Sequence, residues 1–248
     1  KNDSFQKGNL VNGFVNWQTH FISDGKGFSV IPEILPIPTM INVLGLTGIT
    51  AYFGLLDIGK PKKGDTVLVS GAAGATGSVV AQIAKIKECN VIGIAGGEEK
   101  CAWLADAGID HVIDYKNSNP HEELKKIATS GIDIYFDNVG GEILEAALAK
   151  LRMNSRVVIC GAISQYNEMS AKGPNNYLSL LVNRATMKGM VVLDFAKKYP
   201  LATKEMTEWI LDGTLKSKED VYEGIENFYE VFKKLFNGNK KGKLILKL

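Results

Sequence analysis

A strand-like run followed by a glycine-rich turn constrains this chain more than any other stretch. Residues 67–85 read VLVSGAAGATGSVVAQIAK, so a β-branched run leads into closely spaced glycines and then into a broad apolar face. The pattern predicts a buried strand, a tight turn and a helix. Gly71 and Gly74 allow the backbone to bend and to approach a ligand, and Gly77 allows the helix to pack closely against the strand.

The start of this helix is a candidate phosphate site. Backbone N–H groups in a first helical turn lack partners within the helix and attract anions. Here they fall near Thr76 to Val79, and the hydroxyl groups of Ser70 and Thr76 add donors. The alternative is an ordinary buried turn, because Ala72 stands where the usual dinucleotide-binding spacing begins with glycine.

The composition is that of a globular protein without a strong electrostatic bias. The 248 residues are 45% hydrophobic and carry a formal net charge of +2, which disfavours nucleic acid as a partner. No apolar run approaches the ~20 residues of a membrane span and no signal peptide is visible, so we expect a cytoplasmic protein with no membrane partner. The cysteines and histidines lack the spacing of a disulfide framework or a metal site. They are Cys89, Cys101, Cys160, His20, His111 and His121.

Strand and helix patterns alternate through the middle of the chain. Such alternation predicts an α/β fold with a doubly wound, parallel sheet of six strands that helices cover on both faces. The predicted strands are 66–70, 90–95, 111–114, 132–136, 156–160 and 187–193. The predicted crossover helices are 79–85, 98–107, 120–129, 141–151 and 177–183.

The two ends of the chain do not follow this alternation. The first forty residues read as short strands and loops rich in Gly, Asn and Pro. Near the other end, two predicted helices, 203–211 and 224–236, precede a strand at 242–248. We expect this strand to return to the first forty residues, so that a dinucleotide-binding domain is inserted in a split β-rich domain. The expected division is 42–195 for the inserted domain, and 1–41 with 196–248 for the split one.

The loop after the second strand of the sheet bears on the choice of cofactor. A cation at this place accommodates the 2′-phosphate of NADP, whereas an acid binds the ribose hydroxyl of NAD. Gly96 and Gly97 leave space, and Lys100 follows one helical turn later. Glu98 and Glu99 are evidence for NAD, but acids are common in the first turn of a helix. The loop therefore favours NADP.

Three further side chains at the ends of strands have both a binding and a structural interpretation. Tyr115 either binds the cofactor, by contacting the 2′-phosphate or packing on the adenine, or it is simply an aromatic residue at the sheet edge. Asn138 hydrogen-bonds the nicotinamide or its ribose, or forms a turn. Tyr166 donates a hydrogen bond to a substrate oxygen, or is an amphipathic surface residue.

Three motifs taken together resemble a known family. Residues 72–78 read AAGATGS, residues 136–141 read FDNVGG and residues 160–167 read CGAISQYN. They are similar to the zinc-independent medium-chain dehydrogenases/reductases, in the branch of the prostaglandin, alkenal and curcumin reductases, and the resemblance runs over essentially the whole chain. It implies a Rossmann domain inserted in a split GroES-like domain, of which an amino-terminal part is missing here. It also implies NADPH-dependent reduction of the C=C bond of α,β-unsaturated ketones and aldehydes.

The same resemblance implies which residues form the site. A hydride passes to the β-carbon of the substrate, and Tyr166 with the cofactor ribose stabilises the enolate. No metal is implied, and we expect a homodimer. Members of the family often have an asparagine near the end of the chain, and Asn239 matches this position only if the alignment is shifted by one residue. The implied NADP(H)-binding residues are Gly74, Ala75, Thr76, Gly77, Ser78, Lys100, Tyr115, Asn138, Cys160, Gly161, Ala162, Ile163, Ser164, Leu193, Phe195 and Asn239.

Two other functions remain open from the sequence. A quinone reductase of the same superfamily differs in its acceptor and not in its cofactor site, so the expected small-molecule partner is an enone, an enal or a quinone. A non-catalytic NADPH-binding protein does not need Tyr166. A short-chain dehydrogenase is disfavoured, because no Tyr-x-x-x-Lys sequence follows the fourth strand.

Overall fold

The computed structural model of the chain describes residues 2–170, 172–238 and 240–248. The strands in these ranges are β1 (Val11–Asn12), β2 (Ser29–Val30), β3 (Thr66–Ser70), β4 (Asn90–Ala95), β5 (His111–Asp114), β6 (Ile132–Asp137), β7 (Leu151–Ile159), β8 (Thr186–Gly189), β9 (Glu219–Glu223) and β10 (Lys243–Lys247). The α-helices are α1 (Ile37–Asn42), α2 (Leu46–Phe53), α3 (Ala75–Ile86), α4 (Glu98–Asp106), α5 (Pro120–Ile127), α6 (Gly141–Leu148), α7 (Ser179–Val182), α8 (Tyr199–Leu211) and α9 (Phe228–Lys233). A π-helix spans Gly54–Gly59, and 3₁₀ turns span Ile163–Gln165, Val192–Lys198 and Ile225–Asn227.

The central sheet confirms the prediction of six parallel strands. Its order is β5-β4-β3-β6-β7-β8, and every neighbouring pair is parallel. Successive residues of β3 alternate between two buried clusters: Val67 and Val69 pack with α2, α3 and α8, whereas Leu68 packs with α5 and α6. Helices thus cover both faces. The strand order reverses between β3 and β6, which opens a crevice at the carboxyl ends of those two strands.

Two strands of this sheet have bounds that differ from the predicted ones. β7 begins at Leu151, where the sequence predicts the end of a helix, and its register with β6 shifts before Arg156. β8 ends at Gly189, four residues before the predicted end, and a 3₁₀ turn begins at Val192. Gly189 pairs with Ile159, the last residue of β7, so the β-branched residues that follow have no strand beside them to extend the pairing.

The prediction for the final strand is wrong. β10 does not return to the first forty residues but pairs in parallel with β9, Lys243 opposite Glu219 and Lys247 opposite Glu223. The beginning of the chain forms its own small antiparallel sheet, β1 with β2. The sequence pattern predicts no strand at β9, because its residues EDVYE are mostly charged and lack clear apolar alternation. The helix predicted at 224–236 is shorter, since only α9 and the 3₁₀ turn before it form.

Candidate functional site

The glycine turn lies at the carboxyl end of β3 and leads directly into α3. Gly74 precedes the first residue of α3, and its N–H donates to the carbonyl oxygen of Gly71 over 2.9 Å. Gly71 has φ +58°, which favours glycine. A Cβ at Gly77 would collide with the carbonyl oxygen of Gly71, so the helix can approach the turn only with glycine here. The turn therefore presents the N–H groups at the start of α3 to the crevice.

A buried carboxylate holds the turn against the end of β6. Asp137 is 1% exposed, and its Oδ1 accepts from Ser70 Oγ, Tyr135 Oη and the backbone N–H groups of Val139 and Gly140, over 2.7–2.9 Å. Burial, with Asp137 nearby, raises the pKa of Tyr135 well above its usual value. Such a network of charge-assisted hydrogen bonds fixes the loops at the two neighbouring strand ends relative to each other.

Asn138 is placed by the same network. Its backbone N–H donates to Ser70 Oγ over 2.9 Å, and its side-chain Nδ2 donates to the carbonyl oxygen of Ser70 over 2.8 Å. The carbonyl oxygen of Asn138 accepts from the N–H of Ile163. The amide thus lies between the glycine turn and the loop after β7, with its position set by three backbone and side-chain contacts.

A cavity of about 1200 Å³ lies along this edge of the sheet. Nine of the residues predicted to bind the cofactor line it. They are Gly74, Ala75, Thr76, Gly77, Lys100, Tyr115, Asn138, Ile163 and Ser164. The size exceeds the ~300–1,000 Å³ of cavities for drug-sized ligands and suits a dinucleotide with a small substrate.

The other predicted residues that the structure describes are not part of the described cavity lining. Ser78 is buried within α3, and Cys160, Gly161 and Ala162 form the backbone that leads from β7 to the cavity wall. Leu193 is exposed in the 3₁₀ turn after β8, and Phe195 stacks on Phe53 with ring centroids 4.8 Å apart. Asn239 lies outside the described residues. The assignment of these residues to a cofactor stays a prediction.

Tyr166 stands at the mouth of the site, directly after the 3₁₀ turn that lines the cavity. Its side chain is 62% exposed, and its Oη accepts from the N–H of Ala162 over 3.2 Å. Ser164 Oγ donates to the carbonyl oxygen of Val139 over 2.6 Å and ties this loop to the end of β6. Because the phenol oxygen is the acceptor in its bond to Ala162, its own hydrogen suits it to donate to a ligand.

The far end of the cavity, beyond β4, is cationic. Gly96 packs against the ring of Tyr115, and the position of a Cβ on Gly97 is open space. Lys100 Nζ donates to the carbonyl oxygen of Gly238, and burial, then Lys116, lowers the pKa of Lys100. This end has the room and the charge that a phosphate on the ribose requires.

The acids that favoured NAD do not line this end of the cavity within the described residues. Glu98 and Glu99 are exposed at the start of α4, and Glu99 pairs with Lys241. Lys240 does line it, and sequence reasoning missed this residue. The only signal was the Lys-Lys-Gly run at 240–242, which lies 140 residues from Lys100 and does not reveal which lysine faces the cavity.

Other features of the described residues limit the chemistry. No group of three or more His, Cys, Asp or Glu side chains in these ranges could hold a metal ion. Burial, with Asp137 nearby, raises the pKa of Cys160 to about 11, so this thiol is a poor nucleophile at neutral pH. None of the described helices has the length and apolar character that spanning a membrane requires.

A doubly wound sheet with a glycine turn and a helix start at its switch point defines the class of Rossmann-type nucleotide-binding proteins. The chain belongs to the zinc-binding dehydrogenase family, whose model matches residues 75–210.

Relatives with known names match nearly the whole chain. Prostaglandin reductase 1 of Bos taurus is 41% identical, over 100% of this chain and 77% of that protein. The NADPH-dependent curcumin reductase of Escherichia coli (strain K12) is 34% identical, over 98% of this chain and 73% of that protein. Among solved structures, CurA from Vibrio vulnificus in complex with NADPH superposes with a TM-score of 0.92 at 40% identity, covering 99% of this chain and 75% of that one.

Proposed function

We propose that this chain is an NADPH-dependent oxidoreductase that reduces the C=C bond of α,β-unsaturated ketones and aldehydes. One observation carries the proposal: a single cavity joins the glycine turn, the cationic end at Lys100 and the loop that leads to Tyr166. The relatives support it, since they include a prostaglandin reductase and an NADPH-dependent curcumin reductase, and the CurA structure contains NADPH.

The residues present fit NADPH along this cavity. The turn that Gly77 makes possible would hold the pyrophosphate at Ala75 to Ser78, where the start of α3 attracts anions. Lys100 and Tyr115 would hold the 2′-phosphate beyond β4. Asn138 would hold the nicotinamide or its ribose, because its amide lies where the strand order reverses.

The chemistry then falls to the loop after β7. NADPH bound here would supply the hydride for the β-carbon of the enone. Tyr166 would donate a hydrogen bond to the carbonyl oxygen of the substrate and stabilise the enolate, and a proton taken up from solvent at the α-carbon would complete the reduction. The N–H of Ala162 orients the Tyr166 phenol by donating to its oxygen.

The test is NADPH consumption by the purified protein against a panel of enones, enals, quinones and saturated ketones. We expect turnover of enones and enals with NADPH, no turnover of saturated ketones, and a product whose carbonyl group is intact by NMR. Turnover of quinones alone would establish the quinone reductase instead. Tight NADPH binding without turnover of any acceptor would establish a non-catalytic NADPH-binding protein.

We further propose a homodimer that assembles through the edge of the central sheet. β8 is the last strand in the order, and an edge strand offers unpaired N–H and C=O groups to a second copy. Leu181 and Val182, in the helix α7 that precedes β8 in the chain, are 74% and 65% exposed and add apolar surface that a second copy would cover. Sedimentation velocity measures the assembly state.

The division into domains and the cellular location complete the proposal. The expected inserted domain, 42–195, contains the whole central sheet, and the split domain, 1–41 with 196–248, contains the two small sheets. Trp17 and Phe228, one from each part of the split domain, have ring centroids 4.3 Å apart, which supports their grouping. A cytoplasmic location is supported by the three cysteines, which are all free thiols, as reducing compartments favour.

A further inference from the structure

A second lysine lines the cationic end of the cavity and has no role in the proposed function so far. Lys240 comes from the segment just before β10, whereas Lys100 comes from α4, and both line the same cavity with Tyr115. Burial lowers the pKa of Lys240, and the charges of Lys100 and Lys243 lower it further. Two ammonium groups at one end of a cavity attract an anion.

The backbone on either side of Lys240 is anchored, so its position is part of the fold. Two residues later, the N–H of Gly242 donates to the carbonyl oxygen of Ala73 over 3.0 Å, and Gly242 forms a β-bridge with Gly74 in the glycine turn. Two residues earlier, the carbonyl oxygen of Gly238 accepts from Lys100 Nζ. The segment that carries Lys240 is therefore tied both to the pyrophosphate turn and to the other lysine.

Within the described residues, the acids that line this cavity are Glu142, Glu145 and Glu168, and none of them is among the groups that shift the pKa of Lys100 or Lys240. Glu99 is exposed and pairs with Lys241, which does not line the described cavity. Asp220 raises the pKa of Lys100, but by less than burial or Lys116 lowers it, and Asp220 does not line the described cavity. A phosphate monoester carries about −1.5 to −2 charges at neutral pH and accepts several hydrogen bonds, so it matches two converging ammonium groups.

We propose that Lys240 is the second cation of the 2′-phosphate subsite and that, with Lys100, it sets the preference for NADPH over NADH. The inference rests on the proposed use of NADPH. The pyrophosphate has its own seat at the start of α3. The two lysines lie instead with Gly96 and Tyr115, beyond β4, where the ribose 2′ position falls in this fold.

The test compares Lys240→Gln with the matched control Lys241→Gln, which removes the same charge from the next residue. Binding of 2′,5′-ADP, 5′-AMP, NADPH and NADH to each protein is measured by calorimetry, so the readout does not depend on turnover. We expect Lys240→Gln to raise the Kd for 2′,5′-ADP and NADPH about tenfold, as for loss of one charge-assisted contact, and to leave 5′-AMP and NADH within about twofold. Lys241→Gln changes all four by less than about twofold, and Lys240→Arg retains the preference.

The outcomes separate this inference from the proposed function. Two results for Lys240→Gln would overturn the role of Lys240. One is an equal loss of affinity for NADPH and NADH, and the other is unchanged affinity for both with an unchanged melting temperature. If Lys240→Gln loses the preference for 2′,5′-ADP while the wild-type protein fails to reduce any enone, the subsite stands and the reductase proposal falls. If the wild-type protein does not prefer 2′,5′-ADP to 5′-AMP, both the NADPH assignment and the role of Lys240 are wrong.

Discussion

The two ends of the cavity are built in different ways. The cationic end joins Lys100 of α4 to Gly238 and Lys240, about 140 residues further along the chain, and it is partly buried. Near the loop after β7, Tyr166 directly follows the 3₁₀ turn that lines the cavity, accepts from the N–H of Ala162 four residues away, and is largely exposed. Recognition of the cofactor at the cationic end thus depends on contacts between distant segments, whereas the phenol of Tyr166, the proposed hydrogen-bond donor to the enolate, is held by a contact within its own loop.

This difference leads to different expectations for the two ends. A buried cation acts strongly on a bound anion because little water screens it, so substitutions at the cationic end change affinity. An exposed phenol contributes little to binding in the ground state, so its removal changes the rate of the chemical step. The glycine turn lies between the two ends, and its loss affects both.

The largest effect is expected for Gly77→Ala. The added methyl group collides with the carbonyl oxygen of Gly71 and pushes α3 away from the turn. Overpacking of this kind destabilises a protein by about 1–3 kcal/mol. We expect loss of detectable NADPH binding together with a lower melting temperature, measured by calorimetry and circular dichroism.

The matched control is Gly189→Ala. The position of a Cβ on Gly189 is open space, and this residue lies at the end of β8 with an ordinary strand conformation. We expect unchanged NADPH affinity in this variant. If Gly77→Ala bound NADPH as the wild-type protein does, the glycine turn would not be the pyrophosphate seat.

The next largest effect is expected for Tyr166→Phe, which removes the phenol oxygen and leaves the ring. Removing one hydrogen-bond donor to a developing oxyanion costs about 10²–10³ in kcat, and we expect kcat for an enone to fall by about 10². The Kd for NADPH should stay the same, since the side chain is 62% exposed and lies outside the described cavity lining. Steady-state kinetics and a binding titration separate the two.

Tyr177→Phe serves as the control for this prediction. Tyr177 is exposed to a similar degree, 60%, precedes α7 and is not part of the described cavity lining. The kcat of the Tyr177→Phe variant for an enone should match that of the wild-type protein. An unaltered kcat in Tyr166→Phe would remove the catalytic role of Tyr166 and leave the cofactor site untouched.

The same contrast explains what could be predicted from sequence. The strand, turn and helix at 66–86 follow from local patterns, since a β-branched run, glycines and an apolar face are contiguous. Lys100 was found because it follows the second strand at a fixed distance. Lys240 was not, because neither the bridge between Gly242 and Gly74 nor the pairing of β10 with β9, whose charged sequence does not indicate a strand, is visible in the sequence. Local rules predict elements, and they do not predict which distant segments meet.

The smallest effect concerns pH and tests the cationic end directly. Burial, followed by the charge of Lys116, lowers the pKa of Lys100. A bound 2′-phosphate favours the charged amine, so affinity for NADPH is full below this lowered pKa and is lost as the pH rises through it. The loss therefore begins at a lower pH than for an ordinary lysine. Other groups that act on the pKa of Lys100 are Cys101, Asp220 and Glu99. The other titratable side chains that line the described cavity are Tyr115, Glu142, Glu145, Glu168, Lys172 and Lys240.

This effect is tested by measuring the Kd for NADPH at a series of pH values between about 7 and 10. Lys100→Ala should bind NADPH at least about tenfold more weakly at pH 7, because a hydrogen bond to a charged group contributes about 1.5–3 kcal/mol, and its Kd should vary less with pH. Lys116→Ala should shift the wild-type loss of affinity to higher pH, since it removes the neighbouring charge that lowers the pKa of Lys100. A profile for NADH that falls in parallel with that for NADPH would contradict the assignment, because a lysine that recognises only the 2′-phosphate has nothing to lose when NADH is bound.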